Sequence, residues 1–89
     1  MKNNYQIVLQ TSGEKYEGQG ETINEALASL GLSWEQITAK GVVKVSKGKH
    51  TLEHLFYPKQ LRRIFANKIT RLMWGKRLEL LFKENANDL

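Results

Sequence analysis

The feature that most constrains the fold is a period-two alternation that runs into a turn and then into a helix cap. Tyr5, Ile7 and Leu9 alternate with Gln6 and Gln10, "TSGE" follows, and Tyr16 resumes on the far side. That pattern predicts a β-hairpin of about 5–11 and 14–20. With Ser12 and Gly13 at the turn, Leu9 faces Tyr16 and Ile7 faces Gly18, so Gly18 and Gly20 share the apolar face and leave room for a helix. That helix comes next: Thr22 and Glu25 have capping-box spacing, Ile23, Ala26, Leu27 and Leu30 have helical spacing, and Gly31 is a natural stop.

The plan then repeats. "GVVKVS" and "HTLEHLF" flank Lys47-Gly48, predicting a second hairpin of about 40–46 and 49–56 with Val45 opposite His50 and Val43 opposite Leu52. Pro58 suits the first turn of a second helix. The expected fold is therefore α+β in the order ββαββα, with a four-stranded, mainly antiparallel sheet carrying its helices on one face. Eighty-nine residues accommodate one domain with one modest core, and residues 1–3 and 84–89 are expected to fray. In the link "LGLSWEQITAK", Ser33 and Gln36 either cap a short helix or give way to a strand at Ile37, and Trp34 is expected to be a core or edge anchor.

There is no cysteine, which excludes disulfides, thiolate metal sites and a cysteine nucleophile. The start "MKNNYQIVLQ" has no apolar run followed by small residues, and no stretch reaches the ~18 apolar residues of a membrane span. A soluble, untargeted, cytoplasmic chain is expected. The one aspartate, Asp88, lies in the tail, and no glycine-rich phosphate loop is present. His50 and His54 would stand about 13 Å apart on a strand at ~3.3 Å per residue, too far for one ion. These absences argue against an enzyme, a metal site, a cofactor or a small-molecule substrate. "EALASLGLSWEQI" imitates a helix-turn-helix, but its second helix would be acidic and would run into a valine-rich strand, which makes a poor reader of DNA.

Charge is distributed unevenly: net −3 over residues 1–39, +10 over 40–83 and −2 over the tail, for a total of +5. Such asymmetry implies an anionic partner, nucleic acid first and an acidic protein surface or membrane second. The basic half centres on "YPKQLRRIFANKITRLMWGKR", residues 57–77, which contains no carboxylate. At about 100° per residue Leu61, Ile64, Phe65, Ile69, Leu72 and Met73 fall on one side of a helix and are expected to be core. Lys59, Arg62, Arg63, Lys68, Arg71, Lys76 and Arg77, with Lys44, Lys47 and Lys49 of the hairpin, are the candidate phosphate contacts, and Trp74 or Tyr57 is a candidate for stacking on a base.

At Trp74 a second stripe begins, Trp74, Leu78, Leu81 and Phe82, with Gly75 at the change. A break at Gly75 would fold the last turns back onto the domain. A straight helix would instead show two apolar faces and need another partner, a second copy or a larger assembly, with Trp74, Leu78, Leu81 and Phe82 as the subunit interface. The break is the expectation. "RLELLF" also admits a fifth strand, although its leucines favour helix.

"TINEAL" at 22–27, "KGVVKVSKGK" at 40–49 and "PKQLRRIF" at 58–65, behind an acidic hairpin, together resemble small uncharacterised proteins encoded by tailed phages and prophages. The resemblance spans about residues 5–80. It implies a virion component, a DNA-processing accessory or an inhibitor of a host factor, and it assigns no role to any single residue.

Overall fold

The computed structural model describes residues 4–87. The sheet is built from β1 (Tyr5–Gln10), β2 (Lys15–Gly20), β3 (Gly41–Lys47) and β4 (His50–Phe56), in the order β2-β1-β3-β4 with every neighbouring pair antiparallel. In the first hairpin Leu9 faces Tyr16 and Ile7 faces Gly18, the register the alternation predicts. The loop between them is closed by Thr11 N–H donating to the Glu14 carbonyl at 2.9 Å, with the Gln10 amide donating to the same carbonyl at 3.0 Å.

The second hairpin differs from expectation by one residue on each side. Val45 faces Leu52, Val43 faces His54 and Lys47 faces His50, so Gly48 and Lys49 form the turn in place of Lys47 and Gly48. The reason is a backbone angle. Gly48 has φ +64°, and the observed register puts it at the first central position, where a type II′ turn requires a positive φ; the expected register would have imposed that angle on Lys47.

One face of the sheet carries Tyr5, Ile7, Leu9, Val43, Val45, Leu52 and Phe56, all buried. Three helices cover it. The first, α1 (Ile23–Ala28), is capped by Thr22, whose Oγ1 accepts from Glu25 N–H at 3.1 Å, and it buries Ile23, Ala26 and Leu27. It can approach because β2 offers glycines there: a Cβ at Gly20 would lie 2.7 Å from Ala26 N, and one at Gly18 would collide with Ser29 Oγ. After Gly31 (φ +68°) the chain makes a single 3-10 turn, Trp34–Gln36, in which Ser33 N–H donates to Gln36 Oε1 at 2.8 Å, and then enters β3 through the buried Ile37. No second helix follows Gly31, so the helix-turn-helix pattern is not realised. Trp34 is 50% exposed, so of the two positions expected for it the core one is not taken; the buried Ile37 is the core residue of this link.

The basic segment forms two helices, α2 (Pro58–Ala66) and α3 (Lys68–Asn87). The break lies at Asn67, eight positions before the expected one at Gly75. Asn67 is extended (φ −137°, ψ 120°); its N–H completes α2 on the Arg63 carbonyl at 3.1 Å, while its Oδ1 accepts from Ile69 N–H at 2.8 Å and Thr70 N–H at 3.2 Å to start α3. Gly75 lies inside the helix, and its missing Cβ lets α3 close on α1, where a methyl group would sit 3.0 Å from Asn24 Cβ.

This placement overturns half of the expected core stripe. Leu61, Ile64 and Phe65 are buried, whereas Ile69, Leu72 and Met73 lie on the solvent side of α3. "RLELLF" is helical, and so are residues 84–87, which were expected to fray; residues 1–3 and 88–89 lie outside the described ones. No described helix is long and apolar enough to cross a membrane.

Candidate interaction surface

On α2 the buried Leu61, Ile64 and Phe65 turn Lys59, Arg62 and Arg63 to solvent. Two guanidiniums are tethered at one end: Arg62 Nε donates to the Ile37 carbonyl at 3.1 Å, and the half-buried Arg71 donates from Nη1 to the Ile64 carbonyl at 3.3 Å. Each keeps further N–H donors for a ligand. Neither α2 nor α3 has a carboxylate in its first turn, where Lys59 and Lys68 stand instead. The helix dipole adds to these charges rather than offsetting them, so the local potential is positive. Among the described residues an ion pair joins Lys15 to Glu17 at 3.5 Å on β2, and none is formed by Lys59, Arg62, Arg63 or Lys68. Glu14 and Glu17 belong to the first hairpin, Glu21 to the link that follows it, Glu25 to α1 and Glu35 to the 3-10 turn, which packs on α2.

The structure does not bring all the candidate phosphate contacts together. Lys44 projects from the uncovered face of the sheet, registered between Val8 and Glu53, so the body of the sheet separates it from the helices. Lys47 lies on the helix side with its Nζ 4.4 Å from the centre of the Tyr5 ring, and Lys49 is exposed in the turn. That turn is at the opposite end of β4 from Tyr57, with Lys49 about 26 Å away at ~3.3 Å per residue. Along α3, Lys68, Lys76, Arg77 and Lys83 are exposed.

Trp74 is not a free stacking platform. It is half-buried, edge-on to Phe56 at 4.8 Å and 5.6 Å from the His54 ring, with the Arg77 guanidinium 5.0 Å from its own centroid. Tyr57, 58% exposed, is the available ring. The stripe that Trp74 begins is not a subunit interface either. Leu78 and Phe82 are buried in the domain's own core, Trp74 and Leu81 pack against it, and Phe82 meets Tyr5 edge-on at 5.4 Å. The Tyr5 hydroxyl reaches Glu79 Oε2 at 3.4 Å, and burial together with that carboxylate raises the tyrosine pKa.

The apolar side chains that α3 leaves uncovered are Ile69 (79% exposed), Leu72, Met73 and Leu80 (64%). The sequence contains their signal: Ile69, Met73, Lys76, Leu80 and Lys83 follow spacings of 4, 3, 4 and 3, which is one side of a continuous helix. The periodicity reading missed it because it joined Ile69 and Met73 to the stripe of α2, across Asn67.

The same packing changes the titration of His54. This side chain shares the helix-side face with Phe56 and Trp74, and burial lowers its pKa from the usual 6.5. The folded state therefore resists a proton that the unfolded chain accepts. Stability is expected to fall as pH drops below about 6.5, levelling off once the folded-state His54 protonates. Thermal melts between about pH 8 and pH 5 should show this decline, and His54→Leu should flatten it.

Fold and surface together define a small α+β domain: an antiparallel sheet backed by helices, the last two of which display cations and apolar side chains outward. Comparison with protein-family models, with curated proteins and with solved structures found no match.

Proposed function

We propose that this domain is a non-enzymatic, cytoplasmic nucleic-acid-binding module that uses α2 and the first turn of α3. The observation that carries the reading is the continuous exposure of Lys59, Arg62, Arg63 and Lys68, with no ion-pair partner among the described residues, at two helix starts that lack acidic residues. Cations held by packed helices and left uncompensated favour phosphate, because no internal ion pair has to be broken on binding. Tyr57, at the head of α2, offers an exposed face to one base. Phosphate contacts position a ligand without reading its sequence, so discrimination between sequences is expected to be weak.

Four phosphate contacts correspond to a slope of log affinity against log salt of about −3.6 on duplex and about −2.8 on a single strand. Fluorescence titration of a labelled oligonucleotide across a salt series measures this slope, and a value near zero rejects the reading. Arg63→Glu with Lys68→Glu should weaken binding severely. Lys44→Glu, on the far side of the sheet, should change it little.

A further inference from the structure

The exposed apolar side chains of α3 are of no use to a phosphate backbone, and they have a definite geometry. Ile69, Met73, Lys76, Leu80 and Lys83 form one seam with the alternating 4 and 3 spacing by which one helix packs along another, and Leu72 widens it. Because α3 continues unbroken through Gly75, the seam from 69 to 83 is straight and about 21 Å long at ~1.5 Å per residue. Four large apolar residues contiguous on one helix face are a protein-contact feature, unlike scattered surface leucines.

Charge selects the occupant. Lys76 and Lys83 lie on the seam itself, one heptad apart, and Arg77 borders it, with Glu84 one heptad further along the same border. A second copy fits poorly. A parallel pair stacks Lys76 on Lys76 and Lys83 on Lys83, while an antiparallel pair centred on the seam keeps Lys76 on Lys76 and sets Lys83 against Ile69. The border toward α1 already holds Glu25 and Glu79 beside Lys76. With carboxylates already present on both borders, the carboxylates of a partner belong on the seam axis, opposite Lys76 and Lys83. We propose that the outer face of α3 docks an amphipathic helix of a different protein, about four turns long, whose apolar residues cover Ile69, Leu72, Met73 and Leu80 and whose carboxylates meet Lys76 and Lys83. This site uses other residues than the nucleic-acid reading and does not depend on it.

The test uses the full chain and two designed helical peptides with the same leucine seam, one carrying glutamate and the other lysine at the two positions opposite Lys76 and Lys83. Fluorescence anisotropy should show binding of the glutamate peptide and little binding of the lysine peptide. Leu80→Glu should weaken the former by about tenfold or more. Leu80 is largely exposed, so this variant should keep its melting temperature; Met73→Glu provides a second, independent variant. Both should leave oligonucleotide binding within a few-fold of the parent, and Arg63→Glu with Lys68→Glu should leave peptide binding likewise. Equal affinity for the two peptides, binding of neither, or indifference to both variants overturns the proposal. So does sedimentation showing self-association that Leu80→Glu abolishes, which would assign the face to a second copy. Binding to anionic vesicles that outcompetes the glutamate peptide and is lost in Leu80→Glu also overturns it, in favour of a membrane surface.

Discussion

Leu78→Ala is expected to destabilise the domain by about 2–5 kcal/mol, whereas Leu80→Ala, two positions along the same helix, should stay within about 0.5 kcal/mol. Leu78 is 0% exposed and sits among the side chains that seal α3 onto the sheet, so truncating it removes apolar burial and leaves a cavity. Leu80 is 64% exposed and loses little. A domain of this length has a total stability of roughly 4–13 kcal/mol, so the first substitution consumes a large share of it. Urea denaturation of both variants with unchanged m-values measures the difference. The converse result, a silent Leu78 and a costly Leu80, would mean that α3 is rotated by half a turn about its axis. The seam proposed for a partner would then be core.

The second large effect is expected at Gly20. A methyl group there would lie 2.7 Å from both Ala26 N and Glu25 Cβ and 2.9 Å from the Glu25 carbonyl carbon, and backbone atoms cannot step aside. Gly20→Ala is therefore expected to cost about 1–3 kcal/mol through overpacking, and Gly20→Val more. Gly18→Ala should act in the same direction for a different reason. It displaces Ser29 Oγ, which accepts from Gln19 N–H at 2.9 Å and donates to the Ala26 carbonyl at 2.8 Å, and so disturbs a link between β2 and α1. Gly13→Ala is the control, because nothing lies within 4 Å of a Cβ there. If Gly20→Ala proves as mild as Gly13→Ala, α1 does not pack on β2 as closely as described.

Where prediction from sequence succeeded, the deciding interactions are short in range. The Leu9 to Tyr16 register follows from the parity of side chains either side of a turn, and α1 follows from Thr22 reaching the N–H three residues on. Where it failed, a local signal was present but ambiguous. Asn67 is a good cap residue, yet the helical period of Leu61, Ile64 and Phe65 continues across it to Ile69, Leu72 and Met73, so counting alone saw one helix. At Lys47-Gly48-Lys49 two adjacent turn placements preserve the same faces, and only the demand for a positive φ separates them. Alternation already set Lys44 opposite in parity to Val43 and Val45, but its removal from the cationic surface depends on which face of the sheet the helices cover.

The stretch from Tyr57 to Arg77 shows this division. By itself the sequence determined that the segment is helical, that it is cationic and without carboxylates, and that it carries two apolar stripes. Those properties arise from propensity, charge and spacing within a few residues. Only the tertiary structure decided which stripe is buried, because apolar residues surround α3 and its periodicity favours neither side. The choice was made by contacts between residues far apart in the chain: Gly75 against Asn24, Trp74 against Phe56 and His54, Phe82 against Tyr5. Close packing admits one rotation of the helix, and that rotation leaves Ile69, Met73 and Leu80 facing outward.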